Sequence, residues 1–228
     1  MVNVIAVAIT NMYSGDKMKY LLESAAIQGI KIDILGTTPS FSWLNRLRWF
    51  LEYLTSLPTD SNPILCFTEA QTVFYTSDIA TIKTKFLEFG ADIVWSVEKL
   101  YYHQLATDKQ FYDDLCSTDG YKYINTGTFI GYRHALLQLF SDIRITDTTN
   151  FQTLLSHHLA RHWTQYNVRL DYNCSLFYVP TLDWNDIDAH IDSTLRVTDT
   201  GTVPCIIHVP RKSKYEHILS KLFGYRFT

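Results

Sequence analysis

The sequence predicts an α/β fold: a mostly parallel sheet flanked by helices, with a less regular C-terminal half. Three observations carry this. Short, continuous, β-rich apolar runs alternate with amphipathic segments through about residue 96. Turn or cap residues bound most of those runs. No internal repeat, low-complexity tract or long Gly/Ser/Pro linker interrupts the 228 residues, which predicts a single domain over 1–228.

The elements follow in order. "VIAVAI", Val4–Ile9, reads as a buried parallel strand. "TNMYSGDK" is a turn with helix-start chemistry, and Met18, Leu21, Leu22 and Ala25 then recur at helical spacing up to Gly29. "KIDIL" is the second strand. Leu44, Leu47, Leu51 and Leu54 mark an amphipathic helix in "SWLNRLRWFLEYLTSL". "PILCF" is the third strand, followed by "TEAQT" and a further apolar run. "SDIATIKTKFLEFG" opens on a Ser-Asp cap and closes on Gly90. "DIVWSV" is the fourth strand. Beyond it, "YKYINTGTFIGYR" reads as a strand with an internal turn at Asn125, Thr126 and Gly127. Helical segments are expected over 135–140 and 151–161, then short strands in "VRLDY", "SLFYV" and "PCIIHV", and a terminal helix in "KYEHILSKLFGY".

Composition narrows the functional classes. Twenty Lys and Arg against 23 Asp and Glu give a net charge of −3, so no global electrostatic case exists for nucleic acid or an anionic membrane. Thirteen Phe and fifteen Tyr supply core area and stacking surfaces for bases and sugars. Cys66, Cys116, Cys174 and Cys205 form no C-x-x-C pair, which argues against a zinc knuckle or redox motif. No secretory leader is visible, and no apolar run approaches the roughly 20 residues of a membrane span. A reducing, cytoplasmic setting is the expectation.

Several motifs are excluded or set aside. Only Gly15 follows the first strand, so no G-x-G-x-x-G site is present; P-loop and G-x-S-x-G signatures are also missing. His158 and His162 stand four apart, but Leu159 occupies the position where a zincin needs Glu, so a helix face is the reading. The acids of "DWNDID" read as a polar loop rather than a cation site. The Asn173-Cys174-Ser175 sequon reads as chance.

In parallel sheets of this kind ligands bind beyond the carboxyl ends of the strands. That rule selects the loops after Ile9, after Leu35 and after Phe67, and so Thr10 and the "TEAQT" segment. Glu69 supplies a carboxylate and His208 an imidazole. Asn125, Asn150 and Gln152 offer amides for hydroxyls; Arg46, Arg211, Lys212 and Lys214 offer charge for phosphate. The inventory suits a phosphorylated, hydroxyl-rich ligand such as a nucleotide-sugar.

"FTEAQTVFY", "KYINTGTFIGY", "LDYNCSLFYV" and "IIHVPRKSKYEHILSKLFGY" together resemble the glycosyltransferase domain of procollagen lysyl hydroxylases and similar collagen glycosyltransferases of giant viruses. The resemblance covers nearly the whole chain, with N-x-G-x-F-I-G-Y its most specific piece. It implies a GT-A-like, Rossmann-related fold, a UDP-sugar donor and a divalent ion, Mn2+ or Mg2+. Residues 1–96 would form the nucleotide-binding half and 97–228 the acceptor and metal-completing half.

Carried over by position, the resemblance makes Glu69 and His208 metal ligands, with Thr72 where the family's second acid stands. Gln71 matches an aromatic near the uridine, Lys214 a Lys reaching the diphosphate and Arg46 a basic residue of the second helix. Thr10 and Arg211 join this donor-binding group. The acceptor-side Asp-Asp-Gln becomes Asn150, Phe151 and Gln152, and Asn125, Gln152 and Asp147 are expected at the sugar or acceptor. The reading is a transferase moving a hexose from a UDP-sugar to a protein or glycan hydroxyl. Two alternatives stay open: a catalytically silent binding module, and a metal-independent transferase relying on Arg211, Lys212 and Lys214.

Overall fold

The computed structural model describes residues 3–10, 18–36, 42–101, 106–144, 150–180, 187–188, 190–210 and 215–227. The N-terminal elements are β1 (Val4–Ile9), α1 (Lys19–Ile27), β2 (Ile32–Leu35), α2 (Trp43–Ser56), β3 (Ile64–Glu69), β4 (Val73–Tyr75), α3 (Ile79–Glu88) and β5 (Ile93–Glu98). Then come α4 (Ala106–Leu115), β6 (Tyr123–Tyr132), α5 (Arg133–Asp142), α6 (Phe151–His162) and a 3-10 turn (Trp163–Gln165). The chain continues through β7 (Val168–Leu170), β8 (Phe177–Tyr178), β9 (Ile206–His208) and α7 (Tyr215–Phe227).

Six strands form one sheet in the order β2-β1-β3-β6-β5-β7. The pairs β1–β2, β1–β3 and β5–β7 are parallel, whereas β6 runs antiparallel to both β3 and β5. A second, three-stranded sheet has the order β4-β9-β8. The expected strand–helix alternation therefore holds, with one antiparallel strand from the later half inserted at the centre.

Alternate residues along a strand point to opposite faces, and the core obeys that period. Val7, Ile9, Leu65 and Phe67 join one apolar layer with residues of α2, α5 and α6. Ala6, Ala8, Ile64 and Cys66 join the other, against α1 and α3. The first layer is aromatic at its centre. Phe67 stacks on Phe129 at 4.5 Å, and Phe50 of α2 meets both rings edge-on. Such pairs add about 0.5–1.5 kcal/mol each beyond burial, which ties α2 to the middle of the sheet.

Helix starts follow side-chain chemistry. Ser42 accepts from the Asn45 amide, Asp78 from Thr81, and Asn150 from Gln152 and Thr153. The α3 cap is thus Asp78 alone, one residue later than the Ser-Asp pair suggests. Gly29 and Gly90, at φ of 65° and 57°, end α1 and α3 in the left-handed region. The helix α4 has no counterpart in the sequence reading: its stretch "ATDKQFYDDL" is mostly polar and carries few apolar markers.

Candidate active site

The parallel strands end on one edge of the large sheet. Ile9 pairs with Leu35 and with Glu69, which places the last residues of β1, β2 and β3 side by side. Glu69 is where β3 emerges: Ile64 through Thr68 are buried and Glu69 is the first partly exposed residue. Thr10 follows at the end of β1, buried, its amide donating to the Leu35 carbonyl at 3.0 Å. The Ala70 amide donates to the Ile9 carbonyl at 3.2 Å, so the turn carrying half-buried Gln71 folds over the end of β1.

Three side chains converge on the Glu69 carboxylate. Arg46 of α2, only 7% exposed, lies over the Phe67 ring and brings Nη1 to 2.8 Å from Oε1. Its Nη2 faces the Thr126 carbonyl at 3.5 Å. A guanidinium this buried requires such partners. Thr72 donates its hydroxyl to the other oxygen, Oε2, at 3.4 Å. His208 Nε2 stands 3.3 Å from Oε2. Burial raises the Glu69 carboxyl, but the Arg46 charge and the close His208 ring outweigh it and hold the group well below the ordinary carboxylate range. Glu69 is ionised.

Backbone pairing delivers His208 to this place. β4 and β9 pair antiparallel with Val73 opposite His208, and the Val209 amide donates to the Thr72 carbonyl at 2.8 Å. The imidazole is 2% exposed; neither ring nitrogen has a hydrogen-bond partner of ordinary geometry among the described residues, and Nε2 makes the 3.3 Å approach to Glu69 Oε2. The ring rests on Gly127. A Cβ at 127 would lie 2.0 Å from its Cε1, so only glycine leaves room.

Residues 125–128 leave the ladder with β5, while Thr128 stays opposite Thr68 of β3. Trp95 pairs with Phe129 and Val97 with Ile124, so four residues of β6 stand opposite Ser96 alone. Ser96 closes this bulge, its hydroxyl reaching the Asn125 carbonyl at 2.9 Å and the Thr128 carbonyl at 2.8 Å. Asn125 Oδ1 accepts from the Gly127 amide at 2.9 Å, a local Asx turn. The internal turn expected at Asn125, Thr126 and Gly127 is this bulge.

Asn125 and Gln152 are brought together around a residue that the sequence reading does not single out. Glu98, the last residue of β5 and 5% exposed, accepts from Asn125 Nδ2 at 3.2 Å and from Gln152 Nε2 at 3.0 Å, both on Oε1. Gln152 Oε1 accepts from the Thr126 amide at 3.1 Å. One polar chain thus runs from Glu69 through Arg46, Thr126 and Gln152 to Glu98. The strand-end rule that selected the loops after the first three strands also points to Glu98 when applied to the fourth. Asn150 uses its side-chain oxygen to cap α6 rather than to face the site.

Asp147, Arg211, Lys212 and Lys214 lie outside the described residues. Outside the site, His158 and His162 share a helix face with ring centroids 4.7 Å apart, and His158 contacts the Tyr166 hydroxyl at 2.8 Å. Asp188 bonds Lys221 and Tyr225, as a polar surface acid does. Among the described residues no three His, Cys, Asp or Glu side chains converge as a metal cluster. No helix among them is long and apolar enough to cross a membrane.

The carboxyl edge of this sheet thus carries a carboxylate and an imidazole side by side. The same fold occurs in a solved glycosyltransferase involved in the glycosylation of the major capsid of PBCV-1, at a TM-score of 0.53 and 9% identity over 96% of this chain and 98% of that one. The family model described as the PLOD GT domain matches residues 1–225, and the chain belongs to that family. It is 29% identical over 195 residues to a Drosophila melanogaster procollagen-lysine,2-oxoglutarate 5-dioxygenase, an alignment that covers 79% of this chain and 26% of that protein. The chain spans about a quarter of the length of that relative.

Proposed function

We propose that this domain transfers a hexose from a UDP-sugar to a hydroxyl of a protein or glycan acceptor, with Mn2+ or Mg2+ held at Glu69 and His208. One observation carries the metal assignment. His208 is a buried imidazole whose two nitrogens lack hydrogen-bond partners among the described residues, and it stands beside an ionised carboxylate at the ligand-bearing edge. Glu69 Oε2 and His208 Nε2, 3.3 Å apart, are close enough that both would hold one ion. One carboxylate, one imidazole and the Thr72 hydroxyl are an acceptable hard-to-borderline donor set for manganese.

The ion, when bound, neutralises the charge that develops on the leaving diphosphate. The protein's residues do the rest. Arg46 occupies Oε1 of Glu69 and so turns Oε2 toward His208 and Thr72. The Ser96-closed bulge presents Gly127 to the His208 ring and keeps the imidazole in place. Glu98 fixes the amides of Asn125 and Gln152 at the edge of the same site, where sugar hydroxyls would lie. Thr10 and Gln71 flank the donor side. Lys214 is assigned to the diphosphate on the family resemblance, Arg211 to it by its charge, and Asp147 to the donor sugar or acceptor. The Drosophila relative's name makes a 5-hydroxylated procollagen lysine the first acceptor to test.

The test is calorimetric titration of UDP and UDP-glucose with and without Mn2+, coupled to an assay for released UDP. Mn2+-dependent binding with slow donor hydrolysis is the expected result. No binding of UDP under either condition would overturn the proposal. Tight binding without release of UDP under any acceptor would favour the silent-module reading, for which Thr72 in place of a second acid is the motivating feature.

A further inference from the structure

We infer that Arg46 is a resident counterion that keeps this site from holding a divalent ion by itself, so that the metal is retained only together with the nucleotide diphosphate. The inference rests on the nucleotide-sugar reading above and extends it to the order in which the site fills.

The argument is a count of charge at short range. Glu69 is the one carboxylate that meets His208 and Thr72 among the described residues. Its charge is already opposed by the Arg46 guanidinium at 2.8 Å, on a side chain that is 7% exposed. Arg46 is buried while Glu69 is 29% exposed, so solvent screens the pair only in part. Thr72 brings a neutral hydroxyl, and an imidazole binds metal only when neutral. These four side chains sum to zero charge; Glu98, the next carboxylate along the polar chain, reaches Arg46 through Gln152 and Thr126.

A divalent ion entering alone would give up its hydration shell for one half-neutralised carboxylate, with a guanidinium on the same group. A diphosphate reverses the balance. It supplies several anionic oxygens, which attract the ion and also the guanidinium. Glu69 and His208 then act as the protein's two anchors on a metal–diphosphate pair rather than as a metal site awaiting a nucleotide. Because binding free energies are linked, UDP tightens Mn2+ by the same factor by which Mn2+ tightens UDP. A factor on the order of 100, near the upper end of ordinary coupling, is expected.

The experiment measures Mn2+ binding by electron paramagnetic resonance, with and without saturating UDP, on wild type and on Thr72→Asp and Thr72→Asn. The wild type should bind Mn2+ weakly alone and about 100-fold more tightly with UDP. Thr72→Asp makes the site negative and should raise nucleotide-free Mn2+ affinity at least about tenfold, while Thr72→Asn, similar in size and uncharged, should not. Wild type that binds Mn2+ equally tightly with and without UDP would overturn the inference. So would a folded Thr72→Asp, checked by circular dichroism, with no gain over Thr72→Asn. Absence of any UDP binding in the wild type would overturn the proposed function and, with it, the coupling to the diphosphate; a gain in Thr72→Asp would then support only the counterion role of Arg46. Arg46→Gln, wherever it folds, should behave as Thr72→Asp does.

Discussion

Gly127→Ala tests how the site is held together. The glycine needs no left-handed backbone: it is not among the positive-φ residues, so alanine is conformationally allowed there. What alanine meets is His208. The new methyl would lie 2.0 Å from Cε1, 2.5 Å from Nδ1 and 2.7 Å from Nε2. The ring is buried, and its strand is pinned by the Val209–Thr72 hydrogen bond, so it has little space to withdraw. The bulge is equally constrained by Ser96. Overpacking of this kind costs about 1–3 kcal/mol, offset by about 0.4–1 kcal/mol from the lower chain entropy of unfolded alanine. A net loss of about 1–2 kcal/mol lowers Tm by about 2–8 °C in a chain of this size. Displacement of the imidazole should also weaken Mn2+–UDP binding by more than about tenfold, since a single misplaced ligand costs on the order of 10-fold or more in metal affinity. Thermal melting by circular dichroism and calorimetric titration read the two effects. Wild-type Tm together with wild-type Mn2+–UDP affinity would refute the packing argument.

Three further outcomes follow from the same contacts. Glu98→Gln replaces an acceptor of two amide donors by a group that itself presents an amide; it should cost about 1–3 kcal/mol, read by urea denaturation, and reduce turnover as Asn125 and Gln152 lose their orientation. The Glu69 carboxyl sits below its ordinary value of 4.5 in the folded chain, so its ion pair contributes stability that is fully present above the unfolded value and is lost as pH falls through the folded one; the stability gap between wild type and Glu69→Gln should be constant above about pH 5.5 and shrink steadily below 4.5, and a gap that widens in acid would contradict the assignment. Cys66, Cys174 and Cys205 are buried with thiols pushed upward by that burial, whereas Cys116 is part-exposed; a chromogenic disulfide reagent should titrate one thiol rapidly in the native protein and all four in denaturant.

The first 96 residues were legible because their signals are local. Apolar runs, caps and terminal glycines sit within each element, and the strand-end rule then placed Thr10, Glu69 and Gln71 on one edge. His208 was legible through the resemblance, and its nearness to Glu69 is a matter of β4–β9 pairing, which no short stretch announces. The rest of the site depends on non-local geometry. Ser96 reads as an ordinary residue in a buried strand, and its importance appears only when four residues of β6 are seen opposite it. Glu98 sits one residue past the apolar run "DIVWSV", where nothing in the local sequence sets it apart from an ordinary polar residue at a strand end. Arg46 reads as a phosphate binder, and its ion pair with Glu69 appears only in the fold. The polar composition of α4 hid a helix whose partners lie in α6, where Tyr112 donates to the Ser156 carbonyl and Asp108 pairs with His157.

The position of β6 has a consequence for how the chain can assemble. β5 has two sheet neighbours, β6 and β7, and both lie later in the sequence. When residue 98 leaves the ribosome, β1, β2 and β3 have partners among themselves, but β5 has none until the ten residues of β6 arrive and bridge it to β3. Closing the sheet is therefore a late, long-range step, of the kind that slows folding and leaves strand edges exposed meanwhile. The strand that makes that closure also carries Asn125, Thr126 and Gly127. Substitutions at those three positions act on the closing step as well, so such variants are expected to change yield and refolding rate along with final stability.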